Sequence, residues 1–302
     1  MLRELKIKWI TWIDGVGLSK DELQGVLSNY DFHELDLEAV LEPNQTARID
    51  SYDDYMFLTL HFPKYNSRAQ FYSLNEFHVF LWKDFIITLR DFEGQHLDGI
   101  FQKYEQKQIE EYDLDVSTWL ILYEVIQVML EKMFKVRKNI RKDIKEIEEK
   151  VFKKASSPLV KDIMIKKRNI IVLKHMFQPQ KSVLIGLENH MKKIFPDEIE
   201  VYFEDLEDKL EKIITDVKIL EEHIESVEDA FKSIIDIKTN STIKFLTIFS
   251  AILLPLTLIT SFYGMNVDLP FQETPWFVYG LLFFSIWVVL LGYMYFNKQS
   301  KM

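Results

Sequence analysis

Two stretches of the chain contain no charged residue. Phe245–Phe262 reads FLTIFSAILLPLTLITSF and Trp276–Phe296 reads WFVYGLLFFSIWVVLLGYMYF. As helices, each is long enough to cross a hydrocarbon layer of roughly 30 Å. A different rhythm precedes them. Leu206, Leu210, Ile213, Val217, Leu220, Ile224, Val227, Phe231 and Ile234 alternate by four and three. That is a heptad seam held for about four repeats, the packing signal of a long helix. No Gly or Pro separates the seam from the first apolar run. Residues 197–262 are therefore expected to form one helix on the order of 100 Å long, with Pro255 as a candidate bend.

The amino-terminal third has the composition of strands. LKIKWITWI (5–13), YMFLTLHF (55–62), QFYSLNEFHVFLW (70–82) and FIITLR (85–90) are rich in β-branched and aromatic residues. Between the first two, Ser19 with Glu22 three residues later is a capping box. From Asp113 the pattern turns to long helices, and Pro158, Pro179 and Pro196 are read as helix breaks. The organisation expected is an α/β domain over 1–112 and a helical region over 113–196. A long stalk helix (197–262), an outer loop (263–275), a second span (276–297) and a short tail (298–302) follow.

Continuing the four-three alternation past Ile234, after one slip of register, reaches Asn240, Ile243, Thr247, Ser250, Leu254, Thr257 and Ser261. Five of these seven are polar, while Phe245, Phe249, Ile252, Leu256 and Ile259 on the other side are apolar. Such a stripe either packs against another membrane helix or lines a water-filled path between copies of the chain. The second span has no comparable stripe. No ionisable group lies inside either span, which argues against an intramembrane proton relay.

Charge placement orients the spans. Lys238 and Lys244 precede the first, Lys298 and Lys301 follow the second, and the connecting segment has neither Lys nor Arg. The positive-inside rule puts both termini in the cytoplasm and the acidic loop, with Asp268 and Glu273, outside. The expected location is the cell (inner or plasma) membrane, multi-pass. The 302 residues carry a formal net charge of −10, which disfavours nucleic-acid binding but suits attraction of cations. With no cysteine, disulfides and thiolate metal sites are excluded. Residues 1–30 hold Asp14, Asp21 and Glu22 and no long apolar run, so no cleavable signal is expected there.

The first span closes on Tyr263-Gly264-Met265-Asn266, followed by a short acidic loop and a second span. In that position the tetrapeptide resembles the CorA family of magnesium channels. Lys238-Thr239-Asn240, Leu254-Pro255-Leu256-Thr257, Tyr202-Phe203-Glu204-Asp205 and the stretch 41–63 are similar to other family patterns. The resemblance covers essentially the whole chain.

The resemblance implies an α+β membrane protein: a cytoplasmic α/β domain, long stalk helices, two carboxy-terminal transmembrane helices and a funnel-shaped homopentamer. It implies that Gly264, Met265 and Asn266 form an outer ring selecting hydrated Mg²⁺, an ion that prefers octahedral oxygen and parts reluctantly with its water. Asn240, Ile243, Ser250, Leu254 and Thr257 match pore positions, in agreement with the stripe that also holds Thr247 and Ser261. The family's apolar constriction falls near Ile243 and Leu246, the latter one residue off the stripe. The resemblance makes Mg²⁺ both the cargo and a regulatory ion. Asp229 is matched to an acidic gating position, and Asp205 is a further acidic candidate. The partner carboxylate of some relatives falls near Tyr65-Asn66, where no acid stands.

Two other classes stand beside this one. Transport of Zn²⁺, Co²⁺ or Ni²⁺ is the nearest, although the seven His residues are scattered outside the spans. A proton-coupled transporter is a related form of it. A membrane-anchored coiled-coil scaffold is the second. For an enzyme no phosphate-binding glycine loop, HExxH or nucleophile motif is present.

Overall fold

The structure, a computed structural model, describes residues 1–42, 46–91, 95–109, 116–195, 199–266, 270–271 and 274–299. It contains two compact units, Met1–Asp229 and Ala230–Met302. The candidate loop acids Asp268 and Glu273 lie outside the described residues.

The first unit is built on a six-stranded sheet. Its strands are β1 (Leu2–Ile7), β2 (Ile10–Val16), β3 (Arg48–Ser51), β4 (Met56–Asn66), β5 (Phe71–Leu81) and β6 (Phe85–Arg90). They stand in the order β1-β2-β6-β5-β4-β3. Only β2 and β6 pair in parallel. The segment 5–13 is not one strand. The chain turns at Lys8 (φ +54°) and Trp9, so Ile7 faces Ile10 across a hairpin. Alternation continues across the turn without Gly or Asn, which conceals it.

Helices cover both faces of the sheet. α1 (Lys20–Leu27), closed by the Ser19–Glu22 capping box, and α2 (Glu34–Leu41) lie on one side. There Leu27, Phe32 and Ala39 pack on Phe57, Phe80, Ile87 and Leu89. α3 (Gln95–Ile109) sets Phe101 and Tyr104 against Trp12, with ring centroids 5.0 and 5.9 Å apart. α5 (Ser157–Ile194) packs on β4 and β5. Burial on both faces explains why β4, β5 and β6 read as nearly continuous apolar runs.

α5 is fixed to the sheet by two buried amides. Gln180 accepts from the His61 N–H (3.2 Å) and donates to its carbonyl (2.9 Å). Asn169 accepts from the Tyr72 N–H (3.2 Å) and donates to the Gln70 carbonyl (3.0 Å). Pro179 therefore does not break the helix, contrary to the sequence expectation: it sits inside α5. The neighbouring Met176, Phe177, Gln180, Val183 and Leu184 are all buried. Their packing outweighs the ~3 kcal/mol that an internal proline costs. Pro158, by contrast, stands in the first turn of α5, where its missing N–H is not needed.

α4 (Thr118–Lys154) and the first part of α6 (Ile199–Tyr263) complete the unit. The seam residues Leu206 through Val227 are buried. Cross-helix ion pairs mark the register: Lys174–Glu221 at 2.7 Å, Lys167–Glu228 at 2.8 Å and Glu148–His223 at 3.1 Å.

A charged cluster lies inside the sheet. Asp14 is bound by Arg90 (2.9 Å), by Arg3 and by the Thr88 hydroxyl (2.8 Å). Burial would raise the Asp14 pKa, but the Arg90 guanidinium and its hydrogen-bonding partners hold it below the usual carboxylate range. The stability it contributes is present above that range and lost as pH falls through its folded value. Asp14→Asn removes the buried carboxylate that Arg3 and Arg90 share, leaving Asp98 as their common acid, and is expected to destabilise the unit by up to ~3–5 kcal/mol near neutral pH. The difference from wild type narrows on acidification, because the wild-type carboxylate then loses its charge as well. Denaturant melts followed by circular dichroism across the acid range measure both effects.

Candidate functional site

The second unit contains the rest of α6 and α7 (Pro275–Gln299). Each helix has an 18-residue window of mean hydropathy 2.1, almost none of it buried. Half-covered positions recur on one side of α6: Ile248, Ile252, Pro255, Leu256, Ile259 and Tyr263. On α7 they are Val278, Leu281, Leu282, Ser285, Ile286, Val289 and Gly292. Both rows have helical spacing, as expected of two helices that cover each other along one side.

The stripe read from the sequence occupies the other side of α6. Asn240, Ile243, Leu246, Thr247, Ser250, Leu254, Thr257 and Ser261 are all exposed. At 100° per residue they lie roughly opposite the half-covered row. The threonines are not idle there. Thr247 donates to the Ile243 carbonyl (2.8 Å), and Thr257 to those of Leu253 (3.0 Å) and Leu254 (2.9 Å). Thr260 likewise donates to Leu256 (2.9 Å).

At the end of the helix Gly264 N–H closes on the Thr260 carbonyl (2.9 Å) and Met265 N–H on that of Phe262 (3.3 Å). A Cβ at position 264 would stand 2.9 Å from the Thr260 carbonyl oxygen, too close for any side chain. The glycine is thus required by its own helix. Met265 and Asn266 follow, both exposed. Beyond them the Tyr263 hydroxyl donates to the Pro270 carbonyl (3.4 Å), and Phe271 stacks on Phe277 with centroids 4.7 Å apart.

The two cytoplasmic candidates differ. Asp205 is engaged within its own unit, accepting from the Tyr123 hydroxyl (2.9 Å) and the Lys209 ammonium (2.6 Å). A cation there would have to displace Lys209. Asp229 is exposed. At the position of the missing acid, the Asn66 side chain instead accepts from Arg68 N–H and Ala69 N–H, both at 3.1 Å, and caps the β4–β5 turn.

Sequence reading missed one acidic group. Glu188 of α5 and Glu200 and Glu204 of α6 bring carboxylate oxygens within 4.8 Å of one another. Lys192 bridges Glu188 (2.7 Å) and Glu200 (2.8 Å). Burial and the adjacent Glu188 push Glu207 up to about 7. The i,i+4 spacings of 188/192 and 200/204 were the only available signal, and charged helices carry many such pairs.

The chain is similar to known proteins over most of its length. The family profile described as CorA-like Mg2+ transporter protein matches residues 8–298. The cobalt/magnesium transport protein CorA of Thermotoga maritima is 25% identical over 294 residues, spanning 96% of this chain and 83% of that protein. The complete structure of the CorA magnesium transporter from Methanocaldococcus jannaschii superposes with a TM-score of 0.80 at 20% identity, covering 96% and 92% of the two chains. The cytoplasmic domain of ZntB from Vibrio parahaemolyticus is similar in fold, with a TM-score of 0.63 at 14% identity, covering 76% of this chain and 90% of that one.

The close approach at Gly264 has a direct test. Gly264→Ala is expected to open the last turn of α6, raising amide exchange at 264 and 265 while the melting of the first unit stays unchanged. Unaltered exchange at both amides would show that the turn tolerates a side chain.

Proposed function

The chain belongs to the CorA-like Mg2+ transporter family, a membrane-embedded family of divalent-cation transporters, and on that premise we propose that it conducts hydrated Mg²⁺ through a pore lined by the polar face of α6. One observation carries this reading. The polar stripe lies on the side of α6 away from the half-covered row and runs directly into Gly264-Met265-Asn266. A single α6–α7 hairpin leaves that face open; a ring of copies closes it. The family resemblance makes the ring a pentamer with both termini cytoplasmic.

Gly264, Met265 and Asn266 then form the outer selecting ring. Neutral amide and carbonyl oxygens can hold a hydrated divalent ion without stripping or trapping it. Ile243 and Leu246 supply an apolar girdle that closes by excluding water. The acids Asp268 and Glu273 concentrate cations at the mouth.

Asp229, which is exposed, is the regulatory candidate that the family resemblance matches to an acidic gating position; Asp205 is engaged by Lys209 and Tyr123. Carboxylates brought together from several copies repel each other until a divalent ion bridges them. Cytoplasmic Mg²⁺ would thus hold the closed state, and its loss would release it. Mg²⁺ and Co²⁺ come first as cargo, since the relative from T. maritima is named for both. Zn²⁺ remains the alternative cargo that the family resemblance leaves open.

Proteoliposomes loaded with a Mg²⁺-sensitive dye test the reading. Wild type is expected to pass Mg²⁺ and Asn266→Ala to abolish the flux. Zn²⁺ and Co²⁺ run in parallel, and Zn²⁺ flux without Mg²⁺ flux would reassign the cargo. Absence of flux for every ion, in folded protein at low internal Mg²⁺, would overturn the channel. In the same vesicles Asp229→Asn is expected to shift inhibition by internal Mg²⁺ to higher concentration, and Asp205→Asn to leave it unmoved.

A further inference from the structure

A cavity of about 560 Å³ opens between the β4–β5 hairpin, α4 and α5. Its charge is unlike that of the rest of the molecule. The chain carries −10 overall, yet this cavity is lined by four lysines and one aspartate. Lys166 is committed to that aspartate, Asp143. Lys142 sits at the exposed rim, 3.7 Å from Glu146. Lys132 and Lys135 have no carboxylate within ion-pair distance among the described residues. Lys132 is half-buried and also borders both neighbouring cavities. Burial and the nearby Arg90 push its ammonium below the usual lysine range, partly offset by Asp98.

A second observation comes from the cavity wall. Tyr72 is 9% exposed and lines the cavity. Its backbone N–H is taken by Asn169, but its hydroxyl makes no hydrogen bond among the described residues. Burial and the neighbouring Tyr65 and Asp143 raise it to about 12, so it remains a donor at any physiological pH. None of these three groups is sealed from water, and Lys135 is exposed; what sets the place apart is that one hydroxyl and two ammoniums line one cavity with no protein acceptor among the described residues. Tyr65, 47% exposed with its ring 5.0 Å from that of Tyr72, offers a flat surface at the rim.

We propose that this cavity is a binding site for a small polyphosphate anion, free or as part of a nucleotide, held by Lys132, Lys135 and the Tyr72 hydroxyl. Phosphate oxygens supply what the three groups lack: several acceptors on one multiply charged ligand, with charge-assisted hydrogen bonds. The site lies in the first unit and needs neither the membrane spans nor ion flux, so it stands or falls independently of the channel reading.

The test is a calorimetric titration of the full chain in detergent, with inorganic tripolyphosphate as the probe and chelator present to remove divalent metal. One saturable site per chain is expected. Lys132→Gln with Lys135→Gln should weaken binding by about tenfold or more. Tyr72→Phe, which keeps the buried ring, should weaken it by less. The lysine changes break no ion pair among the described residues, and thermal melting measured alongside separates loss of binding from loss of fold. Lys153→Gln with Lys154→Gln, a basic pair outside the cavity, serves as the control. ATP is titrated in parallel. Tighter binding of ATP that Tyr65→Ala cancels would identify a nucleotide, and equal binding would identify the phosphate chain alone. No saturable binding at millimolar probe, or equal weakening by the control pair, would overturn the site.

Discussion

A peptide or hydroxyl group taken out of water must find a hydrogen-bonding partner, and both units are organised around that demand. In hydrocarbon an unpaired group costs several kcal/mol, so a spanning segment has to satisfy itself. α6 does so with its backbone and returns the hydroxyls of Thr247, Thr257 and Thr260 to its own carbonyls. In the first unit the same demand arises where strands lack a neighbour. β4 pairs with β3 only as far as Thr59, and Gln180 takes the place of the missing strand at His61. Asn169 does the same at Tyr72 and Gln70. Two side-chain amides on α5 thus complete the sheet and dock the helix in one step.

That docking matters for what α5 can carry. A helix with a proline at its centre would bend or break on its own. Held at Asn169 and Gln180, α5 remains one element with a continuous buried face. Along that face it meets α6 through Lys174–Glu221 and Lys167–Glu228. The first unit therefore defines the lower part of α6 through packing and ion pairs. In the second unit α6 has only a hairpin partner and a large open face. The same helix passes from a crowded setting to an open one, and its sequence changes character accordingly, from a heptad of Leu, Ile and Val to a stripe of Asn, Ser and Thr.

Much of this was legible in the sequence where one signal dominated. The uncharged runs, the heptad seam, the capping box at Ser19 and the strand FIITLR each rest on a local pattern that tertiary contacts did not override. The misreadings share a different cause. The β1–β2 turn lacks Gly or Asn and keeps the alternation going through Lys8 and Trp9. Residues 34–41, ELDLEAVL, are assigned to no element from the sequence; they form α2, with the His33 side chain accepting from the Leu35 N–H at the cap (3.2 Å). Pro179 reads as a break because the backbone groups that hold its helix, at His61, Gln70 and Tyr72, lie 97 to 119 residues from the α5 amides they meet. Of the candidate site, the stripe was visible as spacing, and Gly264 came with the family resemblance of the tetrapeptide 263–266. The engagement of Asp205 with Tyr123 and Lys209 was not, since Tyr123 is distant in sequence.

The threonines of α6 lend their face a property that no residue type alone would convey. Each hydroxyl hydrogen is spent on a carbonyl of the preceding turn, so only oxygen lone pairs point outward. The water shell of a cation turns its hydrogens outward, and those hydrogens meet acceptors. The shell of an anion turns its oxygens outward and meets no donor from these hydroxyls. On the pore wall proposed above, the orientation of these few protons would suit a hydrated cation better than a hydrated anion.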